Sequence, residues 1–172
     1  MPLLALVAAV AGCEMRLPWQ HEERPRKEPA IVFSPNGEVL TGGALGKKTC
    51  AEAIAGWFAR VDSNQDGAVD RAEFLADMRA QFVRMDADVD GFITVDEVQA
   101  YRQPYLKGEN GDSKRLSLDG PDPVMSADAN LDFRVSLAEF TALAEETFAR
   151  LDADADGRLT ADEAGKACGP SK

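Results

Sequence analysis

Two stretches of the chain carry apolar residues at helical spacing and contain neither glycine nor proline. They span residues 74–85 and 140–151. Their apolar positions are Phe74, Met78, Phe82 and Met85 in the first stretch and Phe140, Leu143, Phe148 and Leu151 in the second. This spacing predicts two amphipathic helices whose phenylalanine and methionine side chains belong to a core rather than to a cofactor site.

A further helix is predicted to begin at Thr49, because Glu52 follows it three residues later. In this capping-box pattern each of the two side chains accepts a hydrogen bond from the other residue's backbone N–H. The apolar residues that follow on one face are Ile54, Phe58 and Val61, with Trp57 beside them. The helix therefore leads directly into a polar run that opens at Asp62.

The polar residues form four runs of 12 residues, each with oxygen-bearing side chains at alternate positions and a glutamate at the end. The runs span residues 62–73, 86–97, 128–139 and 152–163, and are named loops 1 to 4 in that order. Calcium takes about six to eight oxygen ligands, and these loops offer side chains at positions 1, 3, 5 and 12, a water-mediated contact at position 9 and a backbone carbonyl at position 7. One such run in an acidic protein is a weak signal, whereas four indicate metal binding.

The candidate ligands follow from those loop positions. In loops 1 and 2 the side chains are Asp62, Asn64, Asp66, Asp70 and Glu73, then Asp86, Asp88, Asp90, Thr94 and Glu97. In loops 3 and 4 they are Asp128, Asn130, Asp132, Ser136 and Glu139, then Asp152, Asp154, Asp156, Thr160 and Glu163. The backbone carbonyls are those of Ala68, Phe92, Arg134 and Arg158. The predicted cofactor is Ca²⁺, with three to four ions bound.

Position 8 of every loop is apolar, although metal coordination does not require an apolar residue there. These residues are Val69, Ile93, Val135 and Leu159. Together with the ligand spacing, they make the four loops resemble the EF-hand family of calcium-binding proteins, whose paired loops touch through a short β contact at position 8. The resemblance implies an all-α fold in which four EF-hand loops with shared helices form one compact domain.

Loop 3 departs from the pattern at position 6, where the sharp turn requires a positive φ. Glycine stands there in the other loops, but loop 3 has Phe133. A left-handed conformation costs a residue with a β-carbon about 1–2 kcal/mol. We therefore expect three ions to bind readily and a fourth to bind weakly or not at all, in which case loop 3 is a structural partner for an active loop.

The loops open 24 residues apart in both halves, so one helix must serve both neighbouring loops. This spacing resembles lanmodulin, a bacterial lanthanide-binding EF-hand protein, and many exported bacterial EF-hand proteins. Lanmodulin has proline at position 2 and a carboxylate at position 9. This chain has Ser63, Ala87, Ala129 and Ala153 at position 2, and only Asp70 is a carboxylate at position 9. Calcium is thus the expected ion, and a lanthanide is the alternative.

The shared helices also predict which loops pair. A helix over residues 74–85 is about 18 Å long, so loops 1 and 2 lie at its opposite ends and cannot meet. The same argument separates loop 3 from loop 4, and pairing must run between the halves. A disulfide between Cys50 and Cys168 would bring loop 1 beside loop 4 and leave loop 2 to meet loop 3. The predicted position-8 contacts are therefore Val69 with Leu159 and Ile93 with Val135.

Residues 1–12 form an apolar run of signal-peptide length that is too short to span a bilayer. The sequence Val-Ala-Gly-Cys at residues 10–13 resembles the lipobox of bacterial lipoproteins, in which the cysteine is acylated after cleavage. This resemblance implies an exported protein of the periplasm or cell envelope, held at the membrane by lipid on Cys13. An ordinary cleaved signal peptide or an upstream start is the alternative.

If Cys13 carries lipid, Cys50 and Cys168 are the two cysteines that remain. Two thiols in an oxidising compartment suggest one disulfide, and two free or buried thiols are the alternative. Cys50 lies where the helix entering loop 1 begins, and Cys168 lies where the helix leaving loop 4 ends. A disulfide between them would join the two ends of the domain.

Proline, glycine and charged residues are frequent in residues 13–48, which favours a flexible, irregular tether. A small hairpin around the turn sequence at residues 34–37 is the alternative. The predicted folded domain spans residues 49–168, with halves at 49–103 and 124–168 joined by a linker at 104–123. Candidates for contact with a protein partner near this linker are Tyr101, Tyr105, Lys107, Lys114 and Arg115.

The net charge is −11, from 30 acidic and 19 basic residues, and 15 of the acids occupy coordinating positions. Nucleic acid is not expected as a partner, because the sequence has no cluster of basic residues to neutralise phosphates. An enzyme fits poorly, since the single histidine, His21, lies in the tether and no catalytic motif is present. The predicted function is calcium binding in the bacterial cell envelope without catalysis, as a buffer, a metal-stabilised module or a calcium-dependent interaction surface.

A calcium sensor is the alternative role. It would expose an apolar groove for a partner when the ion binds, and Met78, Met85 and Met125 are candidates to line it. So few methionines favour core packing over a groove.

Overall fold

The computed structural model describes residues 31–106 and 121–168, and in them the protein is mainly helical. The helices are α1 (Cys50–Val61), α2 (Arg71–Met85), α3 (Val95–Leu106), α4 (Leu137–Leu151) and α5 (Ala161–Gly165). The strands are β1 (Val69–Asp70), β2 (Phe92–Thr94), β3 (Arg134–Ser136) and β4 (Arg158–Leu159). Short 3-10 turns lie at Gly43–Leu45, Met125–Ala127 and Lys166–Cys168. The predicted all-α class is confirmed.

Several predictions concern residues outside the described ranges. They are the signal peptide at residues 1–12, lipid on Cys13, the role of His21, and the partner candidates Lys107, Lys114 and Arg115. None of the described helices is long and apolar enough to span a bilayer.

The helices begin at capping boxes, and the same reciprocal bonds join Thr94 and Glu97 at the start of α3. The N-cap and glutamate pairs are Thr49 with Glu52, Asp70 with Glu73, Ser136 with Glu139, and Thr160 with Glu163. The predicted cap at Thr49 is confirmed. Because the N-cap is loop position 9, α2 and α4 begin a few residues before the apolar stretches predicted for them and run without a break to the next loop.

The loops pair between the two halves as predicted. Strand β1 pairs with β4 and β2 pairs with β3, both antiparallel. Val69 lies opposite Leu159 and Ile93 lies opposite Val135, and all four are fully buried. Since the N-terminal end of α2 lies beside the C-terminal end of α4, the two long helices are antiparallel.

One aromatic core joins the two halves. The Phe74 ring meets the Trp57 ring at a centroid distance of 6.1 Å and the Phe148 ring at 5.4 Å, both edge-on. Phe82 meets Phe140 at 6.0 Å. Edge-on contacts of this kind contribute about 0.5–1.5 kcal/mol each beyond the burial of their area. The described residues of both halves therefore form one domain.

The ends of this domain are joined by the predicted disulfide. Cys50, at the start of α1, is bonded to Cys168, and the two Cα atoms are 5.8 Å apart. The bridge closes a segment with a sequence separation of 118 residues. In the chain-entropy account, a loop of that length stabilises the fold by roughly 4–5 kcal/mol through its effect on the unfolded chain.

Residues 31–46 pack against the domain, which differs from the irregular tether favoured by the sequence. Phe33 and Val39 form a β-bridge around a turn, so this segment is the hairpin that was the alternative. Val32 and Val39 are buried, and Asn36 is buried with them. The hairpin approaches α3 so closely that a β-carbon on Gly43 would lie 2.4 Å from the Pro104 carbonyl oxygen. Buried side chains and this close backbone approach together hold the segment in place.

Helix α3 ends at Leu106, beyond the predicted start of the linker at residue 104, and it tolerates Pro104 in its last turn. The C-terminal end of the predicted linker, at residues 121–123, also contacts the domain. The buried Arg102 guanidinium forms a two-bond ion pair with Asp122 and lies 4.9 Å from the Phe33 ring centroid. Of the predicted partner candidates, Tyr101 and Tyr105 contact each other at 5.8 Å between centroids and are partly buried.

Asp77, on the buried face of α2, accepts hydrogen bonds from two other elements, the hairpin and α1. It accepts hydrogen bonds from the Trp57 indole N–H, the Asn36 amide and the Arg60 guanidinium, each at 3.0 Å. The side chain is nearly inaccessible, and these donors compensate its charge. It fixes the hairpin and α1 onto α2.

Replacing Asp77 with Ala should lower the free energy of unfolding by about 2–4 kcal/mol, because the buried Trp57 and Asn36 donors then lose this acceptor. Arg60 loses one of its two carboxylate partners and keeps Glu38. Urea denaturation of the metal-free protein measures the change. Glu146→Ala removes an exposed acid from α4 and is the matched control, expected to change stability by less than about 0.5 kcal/mol. Equal effects of the two substitutions would contradict this role for Asp77.

Candidate metal centres

The aspartate at position 1 organises the turn of every loop. In loop 1 the Asp62 carboxylate accepts hydrogen bonds from the backbone N–H groups of Asp66, at 3.1 Å, and Gly67, at 3.0 Å. The same two bonds recur at Asp86, Asp128 and Asp152. One carboxylate thus holds positions 5 and 6 and brings the position-5 side chain back towards position 1.

The glutamate at position 12 closes the loop from the other end. In loop 4 one Glu163 oxygen accepts the Ala153 backbone N–H at 2.9 Å, while the other accepts the Thr160 backbone N–H at 3.0 Å. Glu73 and Glu97 bridge loop positions 2 and 9 in the same way. Each glutamate is therefore both the cap of the following helix and the candidate bidentate ligand.

These hydrogen bonds also keep the glutamates ionised. Bonds from the Thr160 backbone and hydroxyl, and from the Ala153 backbone, lower the pKa of Glu163 to about 2. The pKa of Glu139 is lowered chiefly by the Ser136 backbone and hydroxyl. A charged carboxylate is what a hard cation requires.

Two loops bring three carboxylates within reach of one ion. The sets are Asp86, Asp88 and Glu97 in loop 2, and Asp152, Asp154 and Asp156 in loop 4, each with oxygen atoms within 4.8 Å of one another. Loops 1 and 3 have an asparagine at position 3, and the Asn64 and Asn130 amides donate to Asp66 and Asp132 at 3.1 Å. Loops 1 and 3 therefore carry one negative charge fewer at position 3 than loops 2 and 4.

The remaining candidate ligands are placed by the strands and helix caps. Position 7 of each loop opens or adjoins a strand: Ala68, Phe92, Arg134 and Arg158. At position 9, Asp70, Thr94, Ser136 and Thr160 accept hydrogen bonds from the position-12 backbone as helix caps. The candidate ligand atoms of each loop are all oxygen atoms, which fits a hard cation such as Ca²⁺. Coordination by these residues stays a prediction.

The backbone explains the exception at loop 3. Position 6 has a positive φ in every loop, and Phe133 adopts φ 63° without the freedom that glycine has at Gly67, Gly91 and Gly157. Position 4 is also left-handed in all four loops, at Gln65, Val89, Leu131 and Ala155. The sequence analysis missed position 4, because none of these residue types favours that conformation.

Three segments of the chain match the family model of the EF hand, at residues 54–76, 78–100 and 143–163. They contain loops 1, 2 and 4 whole. The matches support an EF-hand calcium-binding family. Loop 3, the one that lacks the turn glycine, lies outside the matched segments, and no curated protein gives a significant match to the chain.

The sequence pointed only to the backbone carbonyls of two arginines whose side chains also contact candidate ligands in these loops. Arg158 of loop 4 forms an ion pair with Asp66 of loop 1, with 2.6 Å between Nη2 and Oδ1. Arg134 of loop 3 forms the equivalent pair with Asp90 of loop 2. The hydrogen bond from Arg158 is the main cause of the lowered pKa of Asp66. A basic residue at position 7 of both second-half loops is the only sequence signal.

Replacing Phe133 with Gly should stabilise loop 3 by about 1 kcal/mol and strengthen its calcium site, because the left-handed position no longer holds a β-carbon. Calorimetric titration with calcium measures the site, and thermal melting measures the fold. Phe133→Ala is the matched control, since it removes the exposed ring but keeps the β-carbon. An alanine variant as improved as the glycine variant would show that the ring, not the backbone, was responsible.

Acid should destabilise the metal-free protein through Glu163. Its pKa is about 4.5 when unfolded and about 2 when folded, so its contribution is present above pH 4.5 and is lost as the pH falls through 2. Melting temperatures measured between pH 6 and pH 2 should fall less steeply for Glu163→Gln than for the unmodified protein. Glu146→Gln, on the exposed face of α4, should leave the slope unchanged.

Proposed function

We propose that this protein is a calcium-binding module of the bacterial cell envelope without catalytic activity, whose bound ions stabilise its paired loops. The observation that carries the proposal is the arrangement of the four loops. Each is folded around its position-1 aspartate, closed by its position-12 glutamate and paired with a loop from the other half. Calcium would supply the positive charge that this concentration of carboxylates lacks.

The residues that would hold the ions are the side chains at positions 1, 3, 5 and 12 and the carbonyl at position 7. In loop 4, for example, they are Asp152, Asp154, Asp156, Glu163 and the Arg158 carbonyl. Loops 1, 2 and 4 are the stronger sites, because Gly67, Gly91 and Gly157 turn the backbone at no steric cost. Loop 3 is the weaker site because of Phe133.

A metal-stabilised module fits the core better than a sensor does. Met78 and Met85 are 0% and 1% exposed and pack among the core aromatics. A sensor would have to open this core and expose them. The disulfide between Cys50 and Cys168 and the Asp77 contacts both oppose such an opening.

Export to the cell envelope is part of the same proposal. Disulfides persist in oxidising compartments, so the Cys50–Cys168 bridge supports an exported protein. The lipobox-like sequence ending at Cys13 supports attachment to a membrane through lipid. Intact-mass measurement of the protein purified from membranes tests the attachment, because acylation adds a defined mass at Cys13.

Calcium should raise the melting temperature of the purified domain, since an ion that binds only the folded chain stabilises it by mass action. At a concentration about 100 times the dissociation constant, one site contributes roughly 2.7 kcal/mol. Melting followed by circular dichroism, in chelator and in calcium, measures the effect. Identical melting in both conditions would remove the structural role.

The same titration distinguishes the alternatives. Binding of an apolar dye only in the presence of calcium would favour a sensor, and a far lower midpoint for lanthanum than for calcium would favour a lanthanide carrier. Glu97→Gln should abolish one site, because it removes a negative charge from loop 2. The glutamine amide oxygen can still accept the cap hydrogen bond from the Thr94 backbone N–H. Asp96→Asn, at the adjacent exposed position, is the matched control.

A further inference from the structure

Each of the two loop pairs has an ion pair that joins one half of the domain to the other. In the first pair Arg158 of loop 4 reaches Asp66 of loop 1, and in the second Arg134 of loop 3 reaches Asp90 of loop 2. In both cases the arginine is at position 7 and the aspartate is at position 5. The contact therefore repeats with the internal symmetry of the domain, although no residue is shared.

The contact runs in one direction only. Position 7 of loops 1 and 2 is Ala68 and Phe92, neither of which carries a charge to return to the partner loop. Phe92 instead contacts Arg134, whose guanidinium carbon lies 4.0 Å from the centroid of the Phe92 ring. A cation held over an aromatic face has fewer orientations than one free in solvent.

Each aspartate that receives an arginine is itself a candidate metal ligand. Asp66 also accepts the Ala68 backbone N–H at 3.1 Å and the Asn64 amide at 3.1 Å. Asp90 accepts the Phe92 backbone N–H at 2.9 Å. The arginine thus places a positive charge against the same carboxylate that a calcium ion would use.

We propose that Arg158 and Arg134 act across the loop pairs as counter-cations for the metal sites of loops 1 and 2. Without metal, each arginine offsets the acidic charge of the loop it faces and stabilises the pairing. When a metal ion enters that loop, the same positive charge opposes it. This inference rests on the proposed calcium-binding function, and it makes the first-half sites weaker than their ligand sets alone would make them.

The two effects have opposite signs, which separates them from a general loss of structure. Removing an arginine should destabilise the metal-free protein but tighten calcium binding in the loop across the pair. The charged groups are partly exposed, at 44% and 39% for the side chains of Arg158 and Asp66. Exposed pairs of this kind are modest and screened by salt.

Loop-resolved titration tests the proposal. The amides of Gly67, Gly91 and Gly157 each donate to the position-1 aspartate of their own loop, so their NMR shifts report calcium binding in loops 1, 2 and 4 separately. In Arg158→Gln the Gly67 midpoint should move to calcium concentrations about two- to fivefold lower at low salt. The Gly91 midpoint should stay where it is.

Arg134→Gln should give the converse result, with Gly91 shifted and Gly67 unchanged. Both variants should melt roughly 2–4 °C lower than the unmodified protein in chelator. Adding salt to about 0.5 M should reduce all these differences, because the Debye length falls to a few ångströms.

Two controls make the outcome specific. Arg79→Gln removes the same charge from an exposed position on α2 away from the loops and should shift neither midpoint. Arg158→Lys keeps the positive charge and should leave the Gly67 midpoint near its original value. A Gly67 midpoint that is unchanged or raised in Arg158→Gln overturns the proposal, as does an equal shift in Arg79→Gln.

The failure of the proposed function would look different. If no glycine amide of the unmodified protein responds to calcium, both proposals are overturned. If the loops bind calcium and the variants leave the midpoints unmoved, only the counter-cation role is lost.

Discussion

The rigidity of the shared helices is the constraint on which the rest of the structure depends. Helix α2 has 15 residues and is about 22 Å long, and it carries loop 1 at one end and loop 2 at the other. Helix α4 separates loops 3 and 4 in the same way. No loop can bury its apolar position 8 against its neighbour in sequence. Each must find a partner in the other half, and the antiparallel packing of α2 on α4 follows.

This pairing makes the domain cooperative. The buried strand residues Val69 and Leu159 belong to different halves, as do Phe74 and Phe148 in the core. The disulfide joins the same two ends of the chain that the first loop pair joins. The core and the loop pairs are both built from contacts between the halves, so a change at one loop reaches its partner through direct contact rather than through a long path.

The loops and the helices also share their key residues. A position-12 glutamate such as Glu163 caps the helix that follows and closes the loop that precedes it. Its charge is therefore maintained by hydrogen bonds within the protein even without an ion. What the loops lack is positive charge, and the two cross-pair arginines supply part of it. Folding and the proposed ion binding thus depend on the same carboxylates.

The sequence by itself determined the elements whose causes are local. Apolar spacing and capping boxes set the helices, and alternating oxygens set the loops. The 24-residue spacing of loop openings implied pairing between the halves, and the expected Cys50–Cys168 bridge then implied the pairing of Val69 with Leu159. The strain at Phe133 could be predicted because a turn glycine is replaced within a known local geometry.

Only the tertiary structure decided the contacts between residues that are distant in sequence. Asn36 meets Asp77 across 41 residues, and Arg134 meets Asp90 across 44. Docking of the hairpin at residues 31–46 depends on the shape left between α1, α2 and α3, and on backbone approach at glycine. The direction of the cross-loop ion pairs depends on how two antiparallel strands bring positions 5 and 7 together. Such contacts have no periodicity along the chain, because they arise only when the elements are packed.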